Sequence, residues 1–159
     1  MNNLTIREAK KEDIGALREL ITGLAQHERR PQDVTGSNEK MIYWLFERKI
    51  ATALLAESDG KAVGYAIYYP TYGSYAARGK IHLEDIFIKP EFRGKGFGTK
   101  LLSFICKSVM EQGFSAMEWS ALDFNVNSIE YYIKLGAEKE NGRTYFDFSE
   151  ENMKKLAAL

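Results

Sequence analysis

The chain has little with which to build covalent or metal-based structure: one cysteine, Cys106, and two histidines, His27 and His82, in 159 residues. A lone thiol excludes an internal disulfide, and one Cys with two distant His residues offers no zinc-ligand spacing, so no metal is expected. Cys106 falls on the inward-leaning side of an apolar-periodic segment and reads as a buried thiol rather than a nucleophile. An excess of one charge is missing as well. The 22 basic and 22 acidic side chains cancel, which removes the overall electrostatic case for nucleic acid or an anionic membrane as partner. No run reaches transmembrane length, and residues 1–13 carry no apolar signal region, so the expected location is the cytoplasm. No repeat, low-complexity tract or linker interrupts the sequence, so a single domain over residues 1–159 is expected, long enough to bury its own core.

What is present is strong periodicity. Leu4 and Ile6 alternate with Thr5 and Arg7 as a short strand, and Ile14, Leu17, Leu20, Ile21 and Leu24 recur at helical spacing up to His27. The spacing predicts a second helix over 38–49. Strands are predicted over 51–57 and 62–69, joined by the polar turn Ser58-Asp59-Gly60. Residues 71–79 read as a loop, followed by a strand over 80–88, a helix over 94–112, a strand over 116–122 and a helix over 128–134 stopped by Gly136. A last strand over 143–148 leads to Ser149, a plausible N-cap for a C-terminal helix. That order makes an α/β or α+β domain with a mixed sheet.

The most informative stretch joins the strand Leu83-Glu84-Asp85-Ile86-Phe87-Ile88 to the turn Arg93-Gly94-Lys95-Gly96-Phe97-Gly98-Thr99, which opens directly into a helix. Free amides and the positive helix end meet there, which makes an anion cradle. A Walker P-loop would need Gly-Lys followed by Ser or Thr, and that sequence is missing. A dinucleotide-binding turn would need GxGxxG where this chain has Gly94-x-Gly96-x-Gly98. Glu118 does stand near the place of a ribose-binding acid, so that rival stays open.

The turn, together with Leu24-Ala25-Gln26-His27-Glu28, the Leu83–Ile88 strand and the block from Asn125 to Ala137, resembles the GNAT superfamily of N-acetyltransferases. Within it the chain is most similar to the diamine (spermidine/spermine) acetyltransferases and their thialysine-acetylating relatives. The resemblance implies a GNAT fold, mostly antiparallel in its sheet, and acetyl transfer from acetyl-CoA to a primary amine of a small polyamine or diamine by direct attack in a ternary complex. It implies that acetyl-CoA lies along the backbone of Ile86, Phe87 and Ile88. Its pyrophosphate would then rest on Arg93, Gly94, Lys95, Gly96, Phe97, Gly98 and Thr99, with Asn125 and Ser128 near the CoA chain.

By the same resemblance Glu84 is the general base, acting through water, and Tyr132 is the general acid that protonates the departing thiolate. The chemistry agrees, since an ammonium with a pKa of about 10.4 must lose a proton before it attacks, and a phenol can supply one. His27, Glu28, Asp85 and Glu118 are the expected substrate contacts. On a regular strand Glu84 and Asp85 point to opposite faces, so both reach one cleft only if a bulge re-aims one. Two departures weaken a polyamine acceptor: His27 stands where the resemblance leads one to expect a tyrosine, and Arg29-Arg30-Pro31 makes the next loop basic. Thialysine, or another lysine-like amine, is the alternative acceptor. A catalytically silent acyl-CoA-binding module is a further alternative, although such a module has no chemical need of Glu84 or Tyr132. A homodimer is expected by resemblance, with Trp119 and Phe146 as interface candidates.

Overall fold

The computed structural model describes residues 3–159. They group into two compact units, one ending at Ser120 and the other Ala121–Leu159. The first unit holds one five-stranded sheet whose spatial order follows the chain: β1 (Leu4–Glu8), β2 (Thr52–Ser58), β3 (Lys61–Gly73), β4 (Arg78–Ile88) and β5 (Met117–Glu118). The first four strands pair antiparallel, and β5 alone runs parallel to its neighbour. The expected mixed, mostly antiparallel sheet is therefore what forms. The helices of this unit are α1 (Ile14–His27), α2 (Asn38–Ile42), which passes into a π turn over Tyr43–Glu47, and α3 (Phe97–Glu111).

Alternation along β2 and β3 divides the core between the two faces of the sheet. Leu17 and Leu20 of α1 pack with Leu55, Tyr65 and Phe87, whereas Phe97, Leu101, Ile105 and Val109 of α3 pack with Leu54, Ala66, Tyr68, Ile81 and Leu83. Each fully buried side chain of this size contributes about 1.5–3 kcal/mol, so the helix spacing read from the sequence is what clamps both faces. The β2–β3 hairpin turns through Asp59 (φ 51°) and Gly60 (φ 72°), the pair of positive angles that a tight two-residue turn requires. Arg7 links Asp13 at 2.7 Å to Glu57 at 2.8 Å and so ties β1 to the start of α1 and to β2.

The second unit contains α4 (Val126–Lys134) and α5 (Glu150–Ala157). Gly136 follows α4 with φ 95°, as its stop position demands, and Ser149 Oγ accepts the Asn152 N–H at 3.2 Å to cap α5. Several expected boundaries are corrected. The strand expected over 143–148 is irregular, because a strand needs a ladder partner and residues 121–159 supply none; Tyr145 and Phe146 are exposed there. The strand over 116–122 shrinks to Met117–Glu118, and the loop over 71–79 shrinks because β3 runs on to Gly73. The helix expected over 128–134 begins two residues earlier, at Val126.

Candidate active site

The ladder between β3 and β4 slips at one point. Tyr68 opposes Leu83 and Ile67 opposes Asp85, so Glu84 is an extra residue with no partner across the ladder. This is a β-bulge, and its effect on direction is visible in the contacts. Asp85 Oδ2 accepts the Tyr65 hydroxyl at 3.0 Å, and Glu84 Oε2 accepts the Tyr69 hydroxyl at 3.1 Å. Tyr65 and Tyr69 are four residues apart on an uninterrupted strand and therefore share a face, the face that packs on α1. Both carboxylates thus reach one face, the condition under which the sequence allowed them to share a cleft.

Their environments differ. Glu84 is exposed, and its Oε2 also lies 3.6 Å from His82 Nε2; the His82 ring stands 5.1 Å from that of Tyr69. Asp85 is partly buried, and burial pushes its carboxyl up to about 6, against the Tyr65 hydrogen bond that favours the ionised form. The negative charges of Glu84 and of Glu28, just past the end of α1, push in the same upward direction. Burial and the charge of Asp85 in turn hold the Tyr65 phenol well above its ordinary range. Glu28, Glu84 and Asp85 therefore form one electrostatic group. His27 is driven down, first by burial and then by the Arg93 guanidinium. Glu118 lies opposite His82 and pairs with Lys80 across the β4–β5 junction. Burial and, after it, the charges of Glu84 and Glu118 push the Tyr69 phenol up.

Beyond the bulge β4 ends at Ile88, and Pro90–Phe92 makes one tight turn into the glycine segment. Gly94 (φ 74°) and Gly96 (φ 76°) hold left-handed angles that disfavour any other residue. A Cβ at either would meet nothing within 4 Å, so open space adjoins the backbone there. The Lys100 N–H is bonded to the Gly96 carbonyl at 3.0 Å, while the amides of Phe97 and Gly98 fall in the first turn of α3, where the helix has no acceptors. A diphosphate fits this geometry of small residues, outward amides and a positive helix end.

On the β5 side β4 is paired only at Ile81 and His82, so among the described residues no strand covers its edge from Leu83 to Ile88. That is the edge on which the sequence expected an extended cosubstrate. The side chains of Phe87 and Ile88 are core, and Ile86 packs against it. Arg93 turns back onto β4, its Nε donating to the Ile88 carbonyl at 2.9 Å and its guanidinium 5.5 Å from the Phe87 ring. Lys95 lies 5.0 Å over Phe92, which stacks in turn on Phe97. Thr99 is exposed on the first turn of α3.

In the unit Ala121–Leu159, Asn125 precedes α4 without a side-chain cap bond, and Tyr131 and Tyr132 lie on its last turns with ring centroids 5.4 Å apart. Both tyrosines are partly buried. Trp119 packs against the core, and Phe146 is 92% exposed. Sequence reasoning missed the polar roles of Tyr65, Tyr69 and His82. The signal was there in part: Tyr65 and Tyr69 stand at even spacing on one strand, but only the register shows which carboxylates they meet. Among the described residues no cluster of three or more His, Cys, Asp or Glu side chains could hold a metal ion, and no helix is long and apolar enough to cross a membrane.

The family profile described as Acetyltransferase (GNAT) family matches residues 16–137. The chain belongs to this family. GNAT enzymes use acetyl-CoA as cosubstrate, and the glycine turn and open β4 edge have the form such a molecule needs. The chain is 33% identical to the thialysine N-epsilon-acetyltransferase of Bos taurus over 164 residues, covering 96% of each chain. It is 36% identical to an L-ornithine N5-acetyltransferase of Arabidopsis thaliana over 81 residues, which cover 51% of this chain and 36% of that one. An integron cassette protein from the mobile metagenome of V. cholerae superposes with a TM-score of 0.78 at 20% identity, covering 97% of both chains, which is a likeness of fold. The protein is accordingly an N-acetyltransferase, the activity expected from its glycine turn and α4 block.

Proposed function

We propose that this GNAT enzyme acetylates the terminal primary amine of a small cationic acceptor by direct attack on acetyl-CoA, with a lysine-like amine of the thialysine class as the leading acceptor. The observation that supports this reading is the bulge in β4, which turns Glu84 and Asp85 onto one face, on the strand that runs into the Gly94–Gly96 turn. Acetyl-CoA supplies an activated acyl group; the residues of this chain bind it, prepare the amine and handle two protons. Amides of the glycine turn receive the diphosphate, with Lys95 nearby, and the backbone of Ile86 and Phe87 holds the extended arm.

Glu84, exposed at the bulge, takes the ammonium proton through water as the amine attacks. Asp85 and Glu28 attract and orient the cation. Tyr132 returns a proton to the leaving thiolate. The transfer accompanies cleavage of the C–S bond, as charge gathers on the sulfur. Asn125 and Ser128 lie next to the cosubstrate in this scheme.

A polyamine acceptor is the second reading, favoured by the three-carboxylate group of Glu28, Glu84 and Asp85. Against it stand Arg29 beside Glu28, better suited to an acceptor with its own carboxylate, and the ion pair that occupies Glu118. The family match spans the boundary between the two compact units, which supports one acetyltransferase domain over the chain. Assembly as a homodimer in the cytoplasm completes the proposal, and sedimentation velocity tests the dimer.

The deciding experiment is thiol release from acetyl-CoA with thialysine, lysine, ornithine, putrescine, spermidine and spermine. Preferred turnover of lysine-like amines is expected. Turnover confined to spermidine and spermine would overturn the acceptor, and no thiol release with any amine would overturn the catalytic reading.

A further inference from the structure

Tyr65 is an unusual residue for its position. It is fully buried between Leu17, Leu20 and Phe87 on the α1 face of the sheet, where a phenylalanine would fill nearly the same space. A hydroxyl in such a place costs free energy unless it is hydrogen-bonded. Its partner is Asp85 Oδ2 at 3.0 Å, reached on the diagonal of the ladder, since Tyr65 opposes Phe87 and Ile67 opposes Asp85. The bond fixes one carboxylate oxygen and leaves the other for a bound group.

The charged and titratable groups facing Asp85 are Tyr65 from β3, Glu84 from its own strand and Glu28 from the end of α1. Two of these are acids that oppose ionisation. Tyr65 alone donates a hydrogen bond to the ionised form.

We propose that Tyr65 is a positioning residue of the acetyl-transfer site: its buried hydroxyl keeps Asp85 ionised and pointed at the acceptor cation, so that Asp85 governs how activity falls as the solution becomes acidic. This rests on the acetyl-transfer function proposed above and adds a residue, and a pH dependence, to it. Asp85 is partly buried, and burial pushes its carboxyl up to about 6, so its charge changes just below neutral pH. A protonated Asp85 no longer attracts an ammonium, and the acceptor KM rises.

Tyr65→Phe keeps the ring and removes the donor. The midpoint of the Asp85 carboxyl, followed by carbon-13 NMR and assigned with Asp85→Asn, is expected to move up by about one pH unit. The acid limb of kcat/KM for the amine is expected to move with it, chiefly through KM. A merely structural tyrosine would change stability without moving either midpoint, and coincident wild-type and Tyr65→Phe curves would overturn the proposal. The titration needs no substrate, so a shifted midpoint without turnover overturns the acetyl-transfer reading and leaves the Tyr65–Asp85 pair intact. Should Tyr65→Phe fold poorly, Asp85→Asn alone decides: the acid limb of kcat/KM for the amine is expected to be lost from the region where Asp85 titrates, and an acid limb identical to the wild type overturns the proposal.

Discussion

Replacing Asp85 by asparagine is expected to make the protein more stable while impairing it as an enzyme. The folded carboxyl lies at about 6 against an ordinary value of 3.8. Between those two pH values the native state holds a proton that the unfolded chain has released, so stability falls as pH rises through the window and then levels off. At about 1.36 kcal/mol per unit, the cost of ionising Asp85 in place reaches about 3 kcal/mol above pH 6, and about half a kcal/mol remains near pH 4. Asparagine has the same shape, keeps an oxygen for the Tyr65 hydroxyl and never ionises. Asp85→Asn should therefore gain about 2–3 kcal/mol at pH 7.5 and almost nothing at pH 4.

Urea unfolding followed by tryptophan fluorescence is well placed to read this, because Trp44 and Trp119 both lie in the compact unit that contains Asp85. Equal stability of the variant and the wild type at pH 7.5, or a gain that persists unchanged at pH 4, would refute the argument. Amine KM is expected to rise in the same variant. Stability and affinity for the acceptor then move in opposite directions at one residue, as they do where a site is built from a destabilised group.

Tyr132→Phe should lower turnover by about a hundredfold or more, with CoA affinity by calorimetry nearly unchanged; full turnover would remove Tyr132 as the acid. Glu84→Gln should displace the rate profile toward higher pH, because deprotonation of the amine then depends on solvent, and an unaltered profile would count against Glu84 as base. Gly64→Ala should destabilise the first unit by about 1–3 kcal/mol in urea, since the new Cβ would stand 2.6 Å from the Phe87 carbonyl oxygen and against Ile88 Cδ1. A wild-type unfolding midpoint would show that β4 yields there more easily than its packing implies.

The helices that clamp the sheet were legible because their apolar residues recur at a spacing set by the backbone alone. Leu17 with Leu20, and Leu101 with Ile105 and Val109, are buried where the periodicity puts them. The Asp59-Gly60 turn and the Ser149 cap were legible for the same reason: each depends on neighbours in sequence. What depended on a distant partner was not. Tyr145, Phe146 and Phe148 have the chemistry of a strand but no ladder to join, and Glu118 meets Lys80 only through the parallel junction of β4 and β5. The bulge was recognised as a requirement for Glu84 and Asp85 to share a cleft. Its position was not derivable, since one surplus residue leaves no trace in composition. Tyr65 does not stand out in the sequence, because until the strand opposite is known a tyrosine in an apolar run is most simply a large hydrophobe.

Glu84 has one more consequence. The residues on either side of it already oppose consecutive residues of β3, so the ladder on both flanks would join seamlessly if Glu84 were deleted. Leu83 would keep its place under α3, and Asp85 its place beside Tyr65. The sheet is thus complete without this residue, and the enzyme carries it as a supernumerary letter in an otherwise regular line. On the role proposed for Glu84, shortening β4 by this one residue would leave the architecture whole and remove the base.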